Sequence, residues 1–265
     1  MWNSYSTRGP VSVSARIISF AGGGSDSIHA YVASPDGDSK RPGIVLLHHM
    51  PGWDEYYFEC AERLARHGYD VICPDLYCRY GHGMPDDVYA RVRSEGGVPD
   101  DAVVRDAGAA LSWLQAQPNH NGRSAVMGSC SGGRHAVLTA SLVSGFDAVV
   151  DLWGGGVVTE GTEATQARPN PPAAFTSQLT APLLGIFGNE DKSPSPEQVS
   201  THERILQEAG KAYEFHRYDG AGHGFTYYHS PAYRQAQAMD CWEKVFRFLS
   251  NRLDFGQYSD ERSGA

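Results

Sequence analysis

Short apolar runs alternate with longer amphipathic segments along most of the chain. Runs with the length of buried strands occur at 44–47, 69–73, 124–127, 146–150, 182–188 and 213–218. Helical patterns cover 55–67, 101–117, 135–140, 196–210 and 233–253. This alternation predicts an α/β protein with a doubly wound, mostly parallel sheet and helices on both of its faces.

Other segments depart from this alternation. Residues 11–20 and 28–34 are predicted to form an antiparallel hairpin at the sheet edge, joined through the glycines at 22–24. Two stretches rich in proline and glycine, 80–99 and 154–172, are predicted to be long loops near the carboxyl ends of the central strands. Both loops are expected to line a pocket. For 154–172, disordered surface is an equally expected alternative.

The length suits one undivided domain. A chain of 265 residues buries a sizeable core, and α/β domains of this size are common without division. We therefore expect a single domain over 1–265 without a large separate cap. Residues 1–10 and 254–265 are expected to be peripheral tails.

Composition excludes several classes of function. The net charge is −9 and no basic block occurs, which argues against nucleic acid as a partner. No apolar stretch approaches the ~20 residues of a membrane span, and the start lacks a signal-peptide pattern. The five cysteines have no framework spacing, so we expect free thiols in a soluble, cytoplasmic protein. No metal-ligand spacing or P-loop lysine is present, and therefore no cofactor is predicted.

The motif GSCSGG at 128–133 is the strongest chemical signal in the chain. It follows the predicted strand 124–127 and precedes a predicted helix, which is the layout of a nucleophile elbow. Its central residue is Cys130. Moving the frame to Ser131 would put Ser129 where the first glycine belongs, so Cys130 is the better candidate nucleophile.

A base and an orienting acid are predicted from the chain order nucleophile, acid, histidine. Asp191 follows the predicted strand 182–188, and His223 lies in a Gly-His-Gly loop after the next strand. Both loops are expected at the carboxyl edge of the sheet, where open α/β sheets place their sites. Glu190 is a weaker alternative for the acid, and Asp151 is a reserve candidate.

Several blocks in register resemble the dienelactone hydrolase (carboxymethylenebutenolidase) family of α/β-hydrolases, over about 44–248. The resemblance implies that Cys130 is the nucleophile, Asp191 the acid and His223 the base. It also implies that Arg79 binds a substrate carboxylate. The blocks are IVLLHHMPG at 44–52, CPDLYCR at 73–79, GSCSGGR at 128–134, FGNED at 187–191 and GAGHGF at 220–225.

Two departures from the family pattern affect the predicted substrate. The dienelactone-cleaving members have a glutamate where this chain has His49, and a second carboxylate-binding arginine where it has Tyr227. A small dicarboxylate-like lactone is therefore in doubt, whereas ester or lactone hydrolysis is not. His49, Tyr227 and Trp153 are candidate substrate contacts, and for Trp153 a core role is equally expected.

The surroundings of Cys130 are predicted to favour its chemistry. Cys130 precedes a helix, whose dipole favours negative charge at the N-terminus. The backbone N–H groups of Ser131 and Met50 are predicted to form an oxyanion hole. Arg79 has an equally expected structural role as an ion-pair partner of Asp75 or Glu55.

The sequence thus predicts a cysteine-dependent carboxylic ester or lactone hydrolase acting on a small molecule through an acyl-thioester. A thioesterase or amide hydrolase on the same triad is the alternative within enzymes. A catalytically silent, ligand-binding homologue is the alternative outside them. The sequence leaves the leaving group open, as well as the choice between monomer and homodimer.

Overall fold

The computed structural model describes residues 11–24, 26–158 and 164–253. Within these residues eight strands form one sheet in the order β1-β2-β4-β3-β5-β6-β7-β8. The β1–β2 and β2–β4 pairs are antiparallel, and every other neighbouring pair is parallel. The predicted doubly wound, mostly parallel α/β sheet and its edge hairpin are confirmed.

The strands are β1 (Val13–Ala21), β2 (Ser27–Pro35), β3 (Arg41–Leu47), β4 (Asp70–Pro74), β5 (His120–Ser129), β6 (Ala148–Leu152), β7 (Leu183–Gly188) and β8 (Tyr213–Tyr218). The helices are α1 (Glu55–Arg66), α2 (Pro85–Ser94), α3 (Asp100–Gln115), α4 (Ser131–Leu142), α5 (Pro196–Glu208) and α6 (Gln235–Arg252). None of the helices in the described ranges is long and apolar enough to cross a membrane.

Apolar residues on both faces of the sheet explain the continuous apolar runs. Strands β3, β4, β6 and β7 are buried along their whole length. One core layer lies under α1 and α6 and includes Leu64 and Phe246, and the other lies under α3 and α4 and includes Leu114 and Val137. Buried strands of a parallel sheet have no polar face, so period-two alternation is absent.

Local capping determines where the helices begin. The carboxylate of Asp54 accepts the N–H of Tyr57 at 3.3 Å at the start of α1. At the start of α5, Ser195 and Gln198 form a reciprocal capping box. Each arrangement satisfies N–H groups that have no partner within the helix.

One predicted loop contains a helix. Helix α2 occupies part of 80–99, with proline at its first position and two aspartates in its first turn. Its pattern was weak because Val92 is its one buried residue. The stretch 154–172 includes five residues outside the described ranges, and the predicted tails 1–10 and 254–265 also lie outside them.

The topology brings the candidate residues to one edge. Strands β3, β5, β7 and β8 run parallel, so their carboxyl ends meet there. The loops that carry His49, Cys130, Asp191 and His223 follow these four ends.

Candidate active site

Cys130 forms a strained turn between β5 and α4. Its φ is 56° and its ψ is −125°, a backbone conformation that L-residues rarely adopt. A Cβ at Gly128 would lie 2.3 Å from the backbone of Gly132, and one at Gly132 would lie 2.1 Å from the carbonyl oxygen of Leu47. The elbow therefore requires glycine at both flanking positions, and it holds Cys130 at the N-terminus of α4.

Asp191 and His223 are hydrogen bonded. His223 Nδ1 lies 2.8 Å from Asp191 Oδ2, while Asp191 Oδ1 accepts the N–H of Ser193 at 2.9 Å. Asp191 is 6% exposed, so both carboxylate oxygens are held in place. Its neighbour Glu190 is exposed, so Asp191 and not Glu190 is the hydrogen-bond partner of the histidine.

His223 lies between the acid and the thiol. Burial opposes its positive charge, but hydrogen bonds to Asp191 and Cys130 outweigh burial and raise the pKa of His223 to about 10. The imidazole is therefore protonated at neutral pH. The protonated ring thus places a positive charge next to the side chain of Cys130.

Asp151, the reserve acid, lies away from this pair. It is completely buried at the end of β6, where its Oδ1 accepts the N–H of Gly154 at 2.7 Å and its Oδ2 has no partner. Burial raises the pKa of Asp151 to about 7. It is a structural carboxyl group under the first turn of α4, close to Gly133.

The peptide between His49 and Met50 is held by its carbonyl group. The His49 oxygen accepts the N–H of Gly52 at 3.1 Å and lies 2.8 Å from His48 Nδ1. In a trans peptide the N–H points opposite to the carbonyl, so these bonds orient the N–H of Met50. Ser131 is the first residue of α4, and its N–H has no acceptor within the helix.

The tautomer of His48 follows from its other contact. The N–H of Leu76 donates to His48 Nε2 at 3.1 Å, so Nδ1 carries the proton and donates to the His49 carbonyl. Burial lowers the pKa of His48 to about 4, and the ring is neutral at pH 7. Sequence reasoning missed this residue, although it precedes His49 directly at the end of a buried strand.

The two departures from the family pattern contact each other. His49 Nδ1 lies 2.9 Å from the hydroxyl of Tyr227, and His49 Nε2 lies 2.7 Å from Asp54 Oδ2. Asp54 is also the N-cap of α1. Burial opposes its charge, but the interactions with His49 and the N–H of Tyr57 together outweigh burial and lower the pKa of Asp54.

This contact extends into a chain of hydroxyl groups. Ser129 Oγ lies 2.9 Å from the Tyr227 hydroxyl and 2.6 Å from the Tyr57 hydroxyl. Each hydroxyl group in this chain can donate to one neighbour and accept from the other. We call Asp54, His49, Tyr227, Ser129 and Tyr57 the hydroxyl chain. Ser129 directly precedes Cys130, so the chain supports the elbow.

Both nitrogens of His49 are thus occupied by protein groups, and the residue is 7% exposed. Its role is to connect Asp54 with Tyr227 rather than to contact substrate directly. Sequence reasoning missed Asp54, Ser129 and Tyr57. Asp54 could be recognised in the sequence as a helix cap, but only the structure shows that its Oδ2 also contacts His49.

The guanidinium of Arg79 is engaged in ion pairs with protein carboxylates. Its Nη1 and Nη2 bind Asp106 at 2.6 and 2.9 Å, and its Nε binds Asp26 at 2.6 Å. Asp106 is buried, so withdrawing Arg79 would leave its carboxylate uncompensated. The expected carboxylate-binding role is not supported, and the structural alternative is correct with different partners from those expected.

Trp153 has the core role. It is 0% exposed and packs against Phe225 and Tyr227, with ring centroids 4.9 and 5.8 Å apart. Its φ of 43° places it in the left-handed region at the end of β6. A buried ring cannot line a pocket, so the expectation of a substrate contact is not met.

These features define an α/β-hydrolase with a cysteine at its nucleophile elbow. Within the described ranges, no group of three or more His, Cys, Asp or Glu residues is arranged to hold a metal ion. The model of the "Dienelactone hydrolase family" matches residues 28–253. The chain belongs to the dienelactone hydrolase family. This membership identifies it as a hydrolase of the ester- and lactone-cleaving kind.

Individual relatives agree with this assignment. The chain is 31% identical over 255 residues to "Putative carboxymethylenebutenolidase" of Salmonella typhimurium, covering 94% of this chain and 90% of that protein. It is 28% identical to the crystal structure of "Putative Dienelactone Hydrolase" from Klebsiella pneumoniae, with a TM-score of 0.81 and coverage of 90% and 99%. Acylaminoacyl peptidase of Pyrococcus horikoshii shares the fold alone, at 18% identity, a TM-score of 0.71 and coverage of 91% and 42%.

Proposed function

We propose that the chain hydrolyses a carboxylic ester or lactone through Cys130, His223 and Asp191, with an acyl-thioester intermediate. The observation that carries the proposal is the 2.8 Å hydrogen bond between His223 and Asp191, on a histidine whose pKa the neighbouring Cys130 helps to raise, with Cys130 on its strained turn. Family membership supports the same reaction class.

Acylation begins from the thiolate and the imidazolium. The sulfur of Cys130 attacks the carbonyl carbon, and the carbonyl oxygen becomes an oxyanion that accepts hydrogen bonds from the N–H groups of Met50 and Ser131. When the oxyanion collapses, the carbon–oxygen bond to the leaving group breaks. His223 gives its Nε2 proton to the departing alkoxide and becomes neutral. In a lactone the alcohol stays attached to the acyl chain.

Deacylation uses the neutral histidine as a base. His223 takes a proton from water while the water oxygen attacks the thioester carbon, and the same two N–H groups donate hydrogen bonds to the new oxyanion. The carbon–sulfur bond then breaks, which releases the carboxylic acid and restores the thiolate beside the imidazolium. Asp191 holds the ring with Nε2 towards the sulfur in both halves of the cycle.

A substitution series tests the nucleophile. Cys130→Ala should abolish turnover of p-nitrophenyl esters, enol lactones and thioesters. Ser131→Ala should retain most of this turnover, because Ser131 contributes only its backbone N–H. Cys78→Ala is the matched control, since burial raises the pKa of this other partly buried thiol to about 11. Intact-protein mass spectrometry of rapidly quenched samples should show an acyl adduct that is lost with Cys130. Wild-type turnover by Cys130→Ala would refute the proposal.

The state of the cysteines also supports a cytoplasmic location, which we propose as well. All five are free thiols, and a reducing compartment keeps thiols in that form. Fractionation of the source cells with an antibody to the chain tests the location.

A further inference from the structure

A cavity of about 230 Å³ lies between the turn after β3 and the start of α2. Its wall includes the side chains of Trp53, Tyr77 and Val88. Cys130 and His223 are not among the described residues that line it. The proposed hydrolysis therefore makes no use of this cavity.

Asp75 places a carboxylate in the same wall. Its Oδ1 accepts the N–H of Tyr77 at 2.9 Å, and its Oδ2 has no hydrogen bond or ion pair with any residue of the described ranges. Burial raises the pKa of Asp75, although the N–H of Tyr77 and the imidazoles of His29 and His82 act in the opposite direction. A half-buried carboxylate oxygen without a partner is costly, and a cation bound beside it would remove that cost.

The arginines near this wall are engaged elsewhere. Arg79 binds two aspartates, as described above. Arg91 donates to the carbonyls of Tyr80 and His82 at 2.8 and 2.9 Å. The described part of the chain therefore supplies no ion-pair partner to Asp75, and a counter-charge would have to come from a ligand.

The wall suits an organic cation better than a metal ion. The His, Cys, Asp and Glu residues of the described ranges are not grouped to hold a metal, whereas aromatic rings attract ammonium groups. Both rings of the wall are held in place. Trp53 Nε1 donates to the carbonyl of Cys73 at 3.1 Å, and the Tyr77 hydroxyl donates to the carbonyl of Met50 at 2.7 Å.

We propose that this cavity binds a small organic molecule through a primary ammonium group. The ammonium donates a hydrogen bond to Asp75 Oδ2, and the carbon skeleton packs against Trp53, Tyr77 and Val88. A primary ammonium carries three N–H donors together with its charge, so one contact satisfies the oxygen and compensates its charge. A neutral hydroxyl group would satisfy the oxygen alone.

Calorimetry with two matched probes tests the role of the charge. Phenethylammonium chloride and phenethyl alcohol differ in the charged group and share the rest of the skeleton. The wild type should bind the amine at least about tenfold more tightly than the alcohol. Asp75→Asn should remove this difference, because asparagine keeps an acceptor for the N–H of Tyr77 and loses the charge.

Asp86→Asn is the matched control, since it removes an exposed carboxylate from the first turn of α2. It should leave both affinities unchanged. Absence of amine binding to the wild type, or equal binding of the amine and the alcohol, would overturn the proposal. So would an unchanged preference for the amine in Asp75→Asn.

A second variant tests the location and leaves Asp75 intact. Val88→Trp should fill the cavity and lower the affinity for phenethylammonium at least about tenfold. The one buried residue of α2 is Val92, so a larger side chain at position 88 spares the core. Unchanged binding to Val88→Trp would place the amine outside the cavity and refute the site.

Turnover shows whether the amine is part of the substrate or a separate ligand. The p-nitrophenyl esters of ε-aminocaproic acid and heptanoic acid have the same length and differ in the terminal ammonium group. If the ammonium belongs to the substrate, the wild type prefers the amino ester in kcat/KM and Asp75→Asn does not. If it belongs to a separate ligand, neither protein discriminates, while phenethylammonium still binds to the wild type. Calorimetry requires no turnover, so the binding result stands whether or not the proposed hydrolysis is correct.

Discussion

At the scale of single residues, the hydroxyl chain links the two positions, His49 and Tyr227, at which this chain departs from the family pattern. His49 and Tyr227 replace residues of opposite charge, and in this chain they are joined by a hydrogen bond of 2.9 Å. A hydrogen bond between side chains thus joins these two positions. The other ring nitrogen of His49, Nε2, has its hydrogen-bond partner in Asp54.

The chain predicts coupling between Tyr227 and Ser129. Tyr227→Phe should reduce the free energy of unfolding by about 1–3 kcal/mol, because it leaves buried polar atoms of His49 and Ser129 partly unpaired. Ser129→Ala removes an overlapping set of bonds, so the double variant should be less destabilised than the sum, by about 0.5–3 kcal/mol. Urea unfolding of the four proteins measures this coupling.

Tyr31→Phe is the control, since its hydroxyl binds Glu62 outside the hydroxyl chain. Its effect should add to that of Tyr227→Phe within about 0.5 kcal/mol. Additive effects for Tyr227 and Ser129 would mean that the two hydroxyls act independently.

At the scale of elements, the turn after β3 holds one donor of the proposed oxyanion hole. The end of β3 packs against the first turn of α4, where a Cβ at Gly132 would meet Leu47 and His48 oxygens. This close contact places the turn that carries Met50 beside the first turn of α4. His48 orients the Met50 N–H through its hydrogen bond to the carbonyl of His49.

His48→Phe therefore should impair catalysis and spare the nucleophile. Phenylalanine keeps the edge-to-face contact with Tyr77, whose ring centroid is 4.7 Å away, but removes both hydrogen bonds of the imidazole. We expect kcat to fall at least about tenfold, towards the 10²–10³ that loss of one oxyanion donor costs. KM should change little.

Alkylation of Cys130 by iodoacetamide distinguishes positioning from disruption. Alkylation passes through no tetrahedral oxyanion, so its rate against pH should be the same in His48→Phe and in the wild type. Tyr77→Phe is the companion variant. The Tyr77 hydroxyl donates to the carbonyl of Met50, one peptide further along than the His49 carbonyl, so kcat should fall less in this variant than in His48→Phe. A lowered alkylation rate in His48→Phe would show that the elbow itself is damaged.

At the scale of the whole molecule, the sequence predicted the sheet and the strand ends that carry Cys130, Asp191 and His223 better than it predicted the ion pairs between loops. Apolar runs report burial within a strand, and the order Cys130, Asp191, His223 follows from the strand ends. The partners of Arg79 could not be predicted in this way. Asp26 lies in the hairpin turn and Asp106 in α3, and both are distant from Arg79 along the chain. Long-range ion pairs depend on how loops pack, and neither periodicity nor local spacing reports that.

Asp151 offers a test of packing at this scale through the pH dependence of stability. Its pKa is about 7 in the folded protein and has the ordinary value near 4 in the unfolded chain. Between these values the unfolded state ionises while the folded state keeps its proton. The contribution of Asp151 is therefore fully present below about pH 4 and is lost as the pH rises to about 7.

Asp151→Asn should remove this loss, because asparagine still accepts the N–H of Gly154 and cannot ionise. The free energy of unfolding of the variant, relative to the wild type, should rise by about 1.4 kcal/mol per pH unit between about pH 4 and 7 and then level off. His223 titrates in both proteins and cancels in the difference. Urea unfolding from pH 4 to 8, with the exposed Asp38→Asn as the control for one lost charge, measures the curve. A constant difference across this range would show that Asp151 is ionised in the folded protein, and that the carboxyl group has a partner under α4.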